Sequence, residues 1–373
     1  MLINSKFRPP WWLRNPHAQT LWAAKVMRMP TPALYRERLT TPDNDFIDLD
    51  WSDPSHTTSP PAITHTCHPS GNLNHDSGNT SIKTAPNTTA DTTSTAPTNI
   101  LSNPVVLIFH GLTGSSSSPY VRALVACLNR LGYRSVTMNF RGCSGEPNLK
   151  AESYHSGHTK DISFLIDTVN TRFPHAPLAA TGFSLGGNAL LKYLATHIDN
   201  PLHHAISVSP PLQLEEGAKR MQSGLSRIYQ NRLVGQLKTS LDEKHRRYPQ
   251  LGIDKIDYQD TITFREFDSV ATVPLHGFND VDHYYQQAST LADLPFITTD
   301  THILFARDDP FFTKECIPAA GGMSDQVTFE LSSHGGHVAF VSGLFPPLSG
   351  SWLATRLGEL HLSKFEPDRL AAC

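Results

Sequence analysis

Two hydrophobic periods take turns along this chain, and their order carries most of what the sequence says about its fold. Residues 105–109 (VVLIF) form a continuous apolar run, the pattern of a strand covered on both faces. Residues 135–140 (SVTMNF), 178–183, 205–208, 303–306 (ILFA) and 327–331 (VTFEL) read as further strands. Residues 46–51 (FIDLDW) alternate apolar and polar side chains, which predicts a half-exposed strand. Between these runs, residues 120–131, 162–173 and 189–198 carry apolar side chains at helical spacing. Strands alternating with helices predict βαβ units, and so an α/β fold with a mostly parallel sheet flanked by helices.

Two stretches interrupt the alternation. Residues 211–295 are richer in charge and helical pattern, and are expected to form a helical insertion, either a cap or lid over the sheet or an ordinary helical surface subdomain with solvated charged faces. Residues 55–103 are different in kind. Of these 49 residues, 30 are Ser, Thr, Asn or Pro, and none is Phe, Trp, Tyr, Met or Val. Such a stretch cannot bury enough apolar surface to offset its conformational entropy, which predicts a low-complexity loop or disordered insertion. Its His56, His65, His68, His75 and Cys67 follow no fixed ligand spacing, so no metal site is expected there. The segment also dilutes the composition, to 39% hydrophobic and 17% charged residues. With it set aside, the 373 residues read as one α/β domain rather than two.

Charge and cysteines narrow the functional classes. Lys and Arg total 31 against 34 Asp and Glu, a formal charge of −3. Nucleic acid or an anionic membrane surface would call for a clustered basic excess, which the total does not suggest. No apolar run approaches the ~20 residues of a membrane span. The first residues (MLINSKFRPPWWLRNPH) lack the apolar core of a secretory signal. The five cysteines are scattered and form no CxxC pair, so neither a zinc site nor a disulfide framework is expected. These features fit a cytoplasmic protein without a metal or cofactor. The aromatics of Pro9-Pro-Trp-Trp-Leu are expected to pack against the body or seal a pocket, with peripheral contact with lipid as the alternative.

Residues 182–186 read Gly-Phe-Ser-Leu-Gly, a GxSxG pentapeptide between a predicted strand and a predicted helix. That is the setting of a nucleophile elbow, whose sharp turn needs small neighbours. Serine needs a base, and the base an orienting acid, in the chain order Ser, acid, His on this architecture. His337, in Ser-His-Gly-Gly-His after the last predicted strand, is favoured as base over His334. The acid lies in Arg307-Asp-Asp-Pro, straight after the strand at 303–306. Asp309, three residues past the small Ala306 and just before Pro310, is favoured over Asp308. The backbone N–H groups of Leu185 and of Leu112, in His110-Gly-Leu-Thr-Gly, are the candidate oxyanion donors. His110 itself is expected to shape that loop.

Longer blocks carry a resemblance. They are Asn15-Pro-His-Ala-Gln-Thr-Leu, Arg36-Glu-Arg-Leu, Asp45-Phe-Ile-Asp-Leu-Asp-Trp, Asn139-Phe-Arg-Gly-Cys-Ser-Gly-Glu-Pro-Asn, Tyr154-His-Ser-Gly with Asp161, Asp308-Asp-Pro-Phe and Gly335-Gly-His-Val-Ala-Phe. Together they resemble the YheT-type group of the α/β-hydrolase superfamily over nearly the whole chain. The resemblance implies an α/β-hydrolase fold with a helical lid. It also implies a serine esterase acting on small ester or lipid substrates, with Ser184, Asp309 and His337 as triad and no cofactor. The 55–103 insertion departs from the group. Acyl transfer, thioester hydrolysis and non-catalytic ligand binding are the rival functions on the same fold.

Overall fold

The computed structural model describes residues 1–54, 103–249, 252–343 and 351–371. Apart from Asn103, the polar segment 55–103 lies outside them. Among the described residues nine strands form one sheet: β1 (Leu2–Asn4), β2 (Tyr35–Thr40), β3 (Phe46–Ser52), β4 (Val105–Phe109), β5 (Arg134–Asn139), β6 (Leu178–Phe183), β7 (Leu202–Val208), β8 (Thr301–Ala306) and β9 (Val327–Ser332). Their spatial order is β1-β9-β8-β7-β6-β4-β5-β3-β2. Neighbours from β1 through β5 run parallel, whereas β3 is antiparallel to both β5 and β2.

The central strands alternate faces, as the pleat requires. Val105, Leu107 and Phe109 of β4 join the apolar cluster beneath α3 (Lys160–Arg172) and α4 (Leu185–Thr196). Val106 and Ile108 join the cluster beneath α2 (Pro119–Leu131) and α11 (Trp352–Phe365) on the opposite face. After β4 the chain runs first to β5 on one side and then to β6 on the other. The C-terminal ends of β4 and β6 therefore flank a topological switch point, where open α/β sheets bind ligands.

Between β7 and β8 the chain leaves the sheet through α5 (Leu214–Met221), α6 (Ser226–Arg247), α7 (Lys255–Gln259), α8 (Phe264–Phe267), α9 (Val273–His276) and α10 (Val281–Ala288). These helices hold apolar clusters of their own, one around Tyr284 and Tyr285 and one around Tyr258 and Phe267. No helix among the described residues is long and apolar enough to cross a membrane.

Two expectations from the sequence are corrected. Strand β3 is buried on both faces instead of half-exposed. Its polar positions are accommodated because β2 lies outside it: Asp48 pairs with Arg38 and Asp50 with Arg36, each through two hydrogen bonds of 2.7–2.9 Å. The exposed arginine heads cover the carboxylates while their stems cover the strand. Helix α4 starts at Leu185, four residues before the apolar periodicity at 189 suggests, because the turn at Ser184 feeds straight into it.

Candidate active site

Ser184 sits between β6 and α4 with φ 51° and ψ −120°, a backbone conformation strained for a residue with a side chain. The sharp turn brings backbones into contact. A Cβ on Gly186 would lie 2.4 Å from the His110 carbonyl oxygen, and one on Gly182 2.5 Å from that of Gly186. No side chain fits at either place, which is why both glycines of the pentapeptide are required.

The loops after β8 and β9 converge on this serine. Ser184 Oγ–H donates to His337 Nε2 at 3.0 Å, and His337 Nδ1–H donates to Asp309 Oδ2 at 2.9 Å. The Asp309 side chain is 1% exposed, and its other oxygen accepts the Phe311 N–H at 2.9 Å. Phe311 stacks on the His337 ring, 3.9 Å between centroids and 9° from parallel. Asp308 and His334 pair with each other at 3.2 Å, apart from Ser184. Asp308 also accepts the Gly336 N–H at 3.1 Å, and burial raises its carboxyl above the ordinary range.

The loop after β4 is pinned at alternate amides. Gly111 N–H donates to the Tyr120 hydroxyl at 3.0 Å and Thr113 N–H to the Tyr154 hydroxyl at 2.9 Å. The amide between them, on Leu112, has no acceptor among the described residues, and neither has that of Leu185. His110 is fully buried. Its Nε2 accepts the Phe140 N–H at 3.1 Å while Nδ1–H donates to the Gly111 carbonyl at 2.8 Å. Burial lowers its pKa to about 4, so it stays neutral and holds the loop.

The block from Asn139 to Asn148 forms the floor under that loop. Asn139 accepts the Ser116 N–H at 3.0 Å and donates to Asp50 at 2.7 Å. Arg141 is buried among Asp161, Asp43 and Asp45, with contacts of 2.7 to 3.2 Å. Asn148 donates to Asp45 at 2.6 Å. Removing one member of such a buried ion cluster leaves the others uncompensated. Arg141→Met is therefore expected to destabilise the protein by about 3–5 kcal/mol, read as a fall in the urea midpoint. A change under ~1 kcal/mol would refute this role for the cluster.

Several positioning residues carried no role in the sequence reading. Thr20 Oγ accepts the His337 backbone N–H at 3.0 Å. Gln19, fully buried, accepts the Val341 N–H at 2.7 Å and donates to the carbonyls of Val341 and Leu13. Asn15 caps α1 (Pro16–Lys25) through the amides of His17 and Ala18. The Asn-Pro-His-Ala-Gln-Thr block thus clamps the loop carrying His337. Its signal in the sequence was the block itself, one of those that carry the family resemblance. His155, His158 and His276 also meet, packed edge to face with His155 at the centre, and burial lowers His155 to about 2 and His276 to about 3.

Two apolar cavities meet at Ser184. The larger, about 260 Å³, runs between α1 and α6 past Leu21, Ala24, Leu233 and His337. The smaller, about 110 Å³, enters the inserted helices past Leu214, Met221, Phe264 and Phe312. A third cavity of about 540 Å³, of mixed polar and apolar lining, lies across Leu112 and Leu185, reaches Arg141, Lys244 and Asn148, and does not include Ser184. Burial lowers the Lys244 amine to about 8.

Sheet order, elbow and converging loops define an α/β hydrolase, and the comparisons with known proteins agree. The profile described as alpha/beta hydrolase fold matches residues 104–344. The chain is 35% identical over 358 residues to YheT of Escherichia coli (strain K12), provisionally named an esterase, covering 95% of this chain and 92% of that protein. It is 28% identical over 348 residues to the human protein named Phospholipase ABHD3, covering 92% and 76% respectively. It is 32% identical over 268 residues to the Saccharomyces cerevisiae protein named Monoacylglycerol lipase, covering 68% and 58%. A solved Pyrococcus furiosus esterase shares the fold, with TM-score 0.51 and 14% identity over 91% of this chain and 98% of that one. The chain belongs to the YheT-type group of the α/β-hydrolase family and is a carboxylic ester hydrolase.

Proposed function

We propose that this protein hydrolyses short- or medium-chain acyl esters, including lipid esters, through an acyl-enzyme on Ser184. The observation that carries this reading is the unbroken hydrogen-bond chain Ser184–His337–Asp309 at the junction of two apolar cavities. His337 Nε2 takes the Ser184 proton as Oγ attacks the ester carbonyl. Asp309 holds the imidazole in the tautomer whose Nε2 is free to accept. The Leu112 and Leu185 N–H groups receive the developing oxyanion, which they suit because no group among the described residues accepts from them. His337 then protonates the leaving alcohol, and water releases the acid by the reverse sequence.

An ester has two sides, and the two cavities offer one apolar arm for each. The larger arm takes the acyl chain. The inserted helices act as a lid that walls both arms. The relatives named phospholipase and monoacylglycerol lipase support a lipid ester as substrate. A cytoplasmic location fits the free thiols of Cys127, Cys143 and Cys316.

A series of p-nitrophenyl esters of increasing acyl length tests the reading. Turnover is expected to peak at short or medium chains. Ala24→Trp, which fills the larger arm, is expected to lower kcat/KM for the octanoyl ester by at least about tenfold while sparing the acetyl ester. No turnover of any ester would overturn the proposal, and an equal loss for both esters would overturn the assignment of the acyl arm.

A further inference from the structure

The near-neutral total charge hides a segregation. Residues 1–36 contain six Lys or Arg and no Asp or Glu, and residues 217–241 contain five and none. The fold brings these two acid-free segments together. His17 of α1 stacks on Tyr229 of α6 at 5.7 Å. The larger cavity opens between the same two helices, and no carboxylate lines it. Arg14, Lys25, Arg28 and Arg227 are exposed and take part in no ion pair among the described residues.

Large apolar side chains stand exposed among these charges. Trp11 is 75% exposed, Ile228 62%, Leu225 57% and Leu21 47%. Leu225, Ile228 and Arg232 recur at three- and four-residue spacing, one face of α6, and Arg232 lies at the cavity wall. Leu21 and Lys25 repeat the pattern on α1. Trp11, in the loop before α1, is an amphipathic ring of the kind that seats at a bilayer interface. Basic and apolar groups interleaved on one surface match an anionic lipid bilayer, which offers charge at the headgroups and an apolar layer below.

We infer that the α1–α6 face docks the protein on an anionic lipid bilayer, with the mouth of the larger cavity against the membrane. A lipid ester could then pass from the bilayer into that cavity without crossing water. The docking itself stands whether or not Ser184 is the nucleophile, and the test reads it without hydrolysis.

The test is co-sedimentation of the full chain with phosphatidylcholine vesicles, with and without a third of phosphatidylglycerol. The wild type is expected to bind the anionic vesicles at low salt, to bind neutral vesicles far more weakly, and to be released by molar salt. Each basic group near an anionic surface strengthens binding about fivefold, so Arg14→Glu/Lys25→Glu/Arg227→Glu is expected to lose at least about 100-fold in affinity. Trp11→Ser/Ile228→Ser is expected to weaken binding to the anionic vesicles at low salt as well, because apolar insertion adds to the electrostatic attraction. All these positions are exposed and outside the cavity lining, so both variants should turn over a water-soluble acetyl ester at the wild-type rate. A wild type that ignores anionic vesicles, or a triple variant that binds them as tightly as the wild type, would overturn the docking surface. Loss of ester turnover in the wild type would instead count against the proposed function and leave the vesicle result standing.

Discussion

Ser184→Ala is expected to lower kcat/KM for a soluble ester by about 10⁴- to 10⁶-fold, with the melting temperature nearly unchanged. The size follows from the proposed role. Without Oγ no acyl-enzyme forms, and what remains is binding plus the two amides at Leu112 and Leu185, which still polarise a carbonyl. The fold should tolerate the change. The strain at Ser184 belongs to the backbone, where φ is 51°, and alanine meets it no worse than serine. The lost hydrogen bond runs to His337, whose other nitrogen keeps Asp309 and whose ring keeps its stack on Phe311. Turnover within about tenfold of wild type would remove Ser184 from the chemistry.

Asp309→Asn carries the second large effect, a drop of about 10⁴ in kcat. An amide at this position can present its NH₂ to Nδ1, which moves the imidazole proton to Nε2. That nitrogen can then no longer accept from Ser184. Asp308→Asn is the discriminating partner. Its carboxylate meets His334 and the Gly336 N–H and reaches neither His337 nor Ser184, so its loss should cost about tenfold or less. Kinetics of the two variants on one ester decide between adjacent acids. The larger loss in Asp308→Asn would reverse the assignment.

The sheet was legible because its central strands are apolar on both faces and can be read without tertiary information. β4 and β6 were read with the bounds they have. β3 was misread because its aspartates look like solvent-facing positions, and their arginine partners lie on β2, which was not read as a strand. α11 was legible in principle from its leucines at helical spacing but lay beyond the residues that carried the chemistry. The serine, histidine and aspartate candidates were legible because each follows a strand. Thr20 and Tyr154 were not, since what they do is hold backbone amides of loops far away in sequence. The basic face was missed for a different reason. A total charge of −3 averages over a surface, and only the fold reveals that two acid-free segments adjoin.

The most direct test of the central claim is covalent labelling by a fluorophosphonate, followed by intact mass and peptide mapping. The proposal predicts one adduct per chain, on Ser184, absent in Ser184→Ala and strongly slowed in His337→Ala. No adduct on the wild-type protein, or an adduct on another residue, would contradict it.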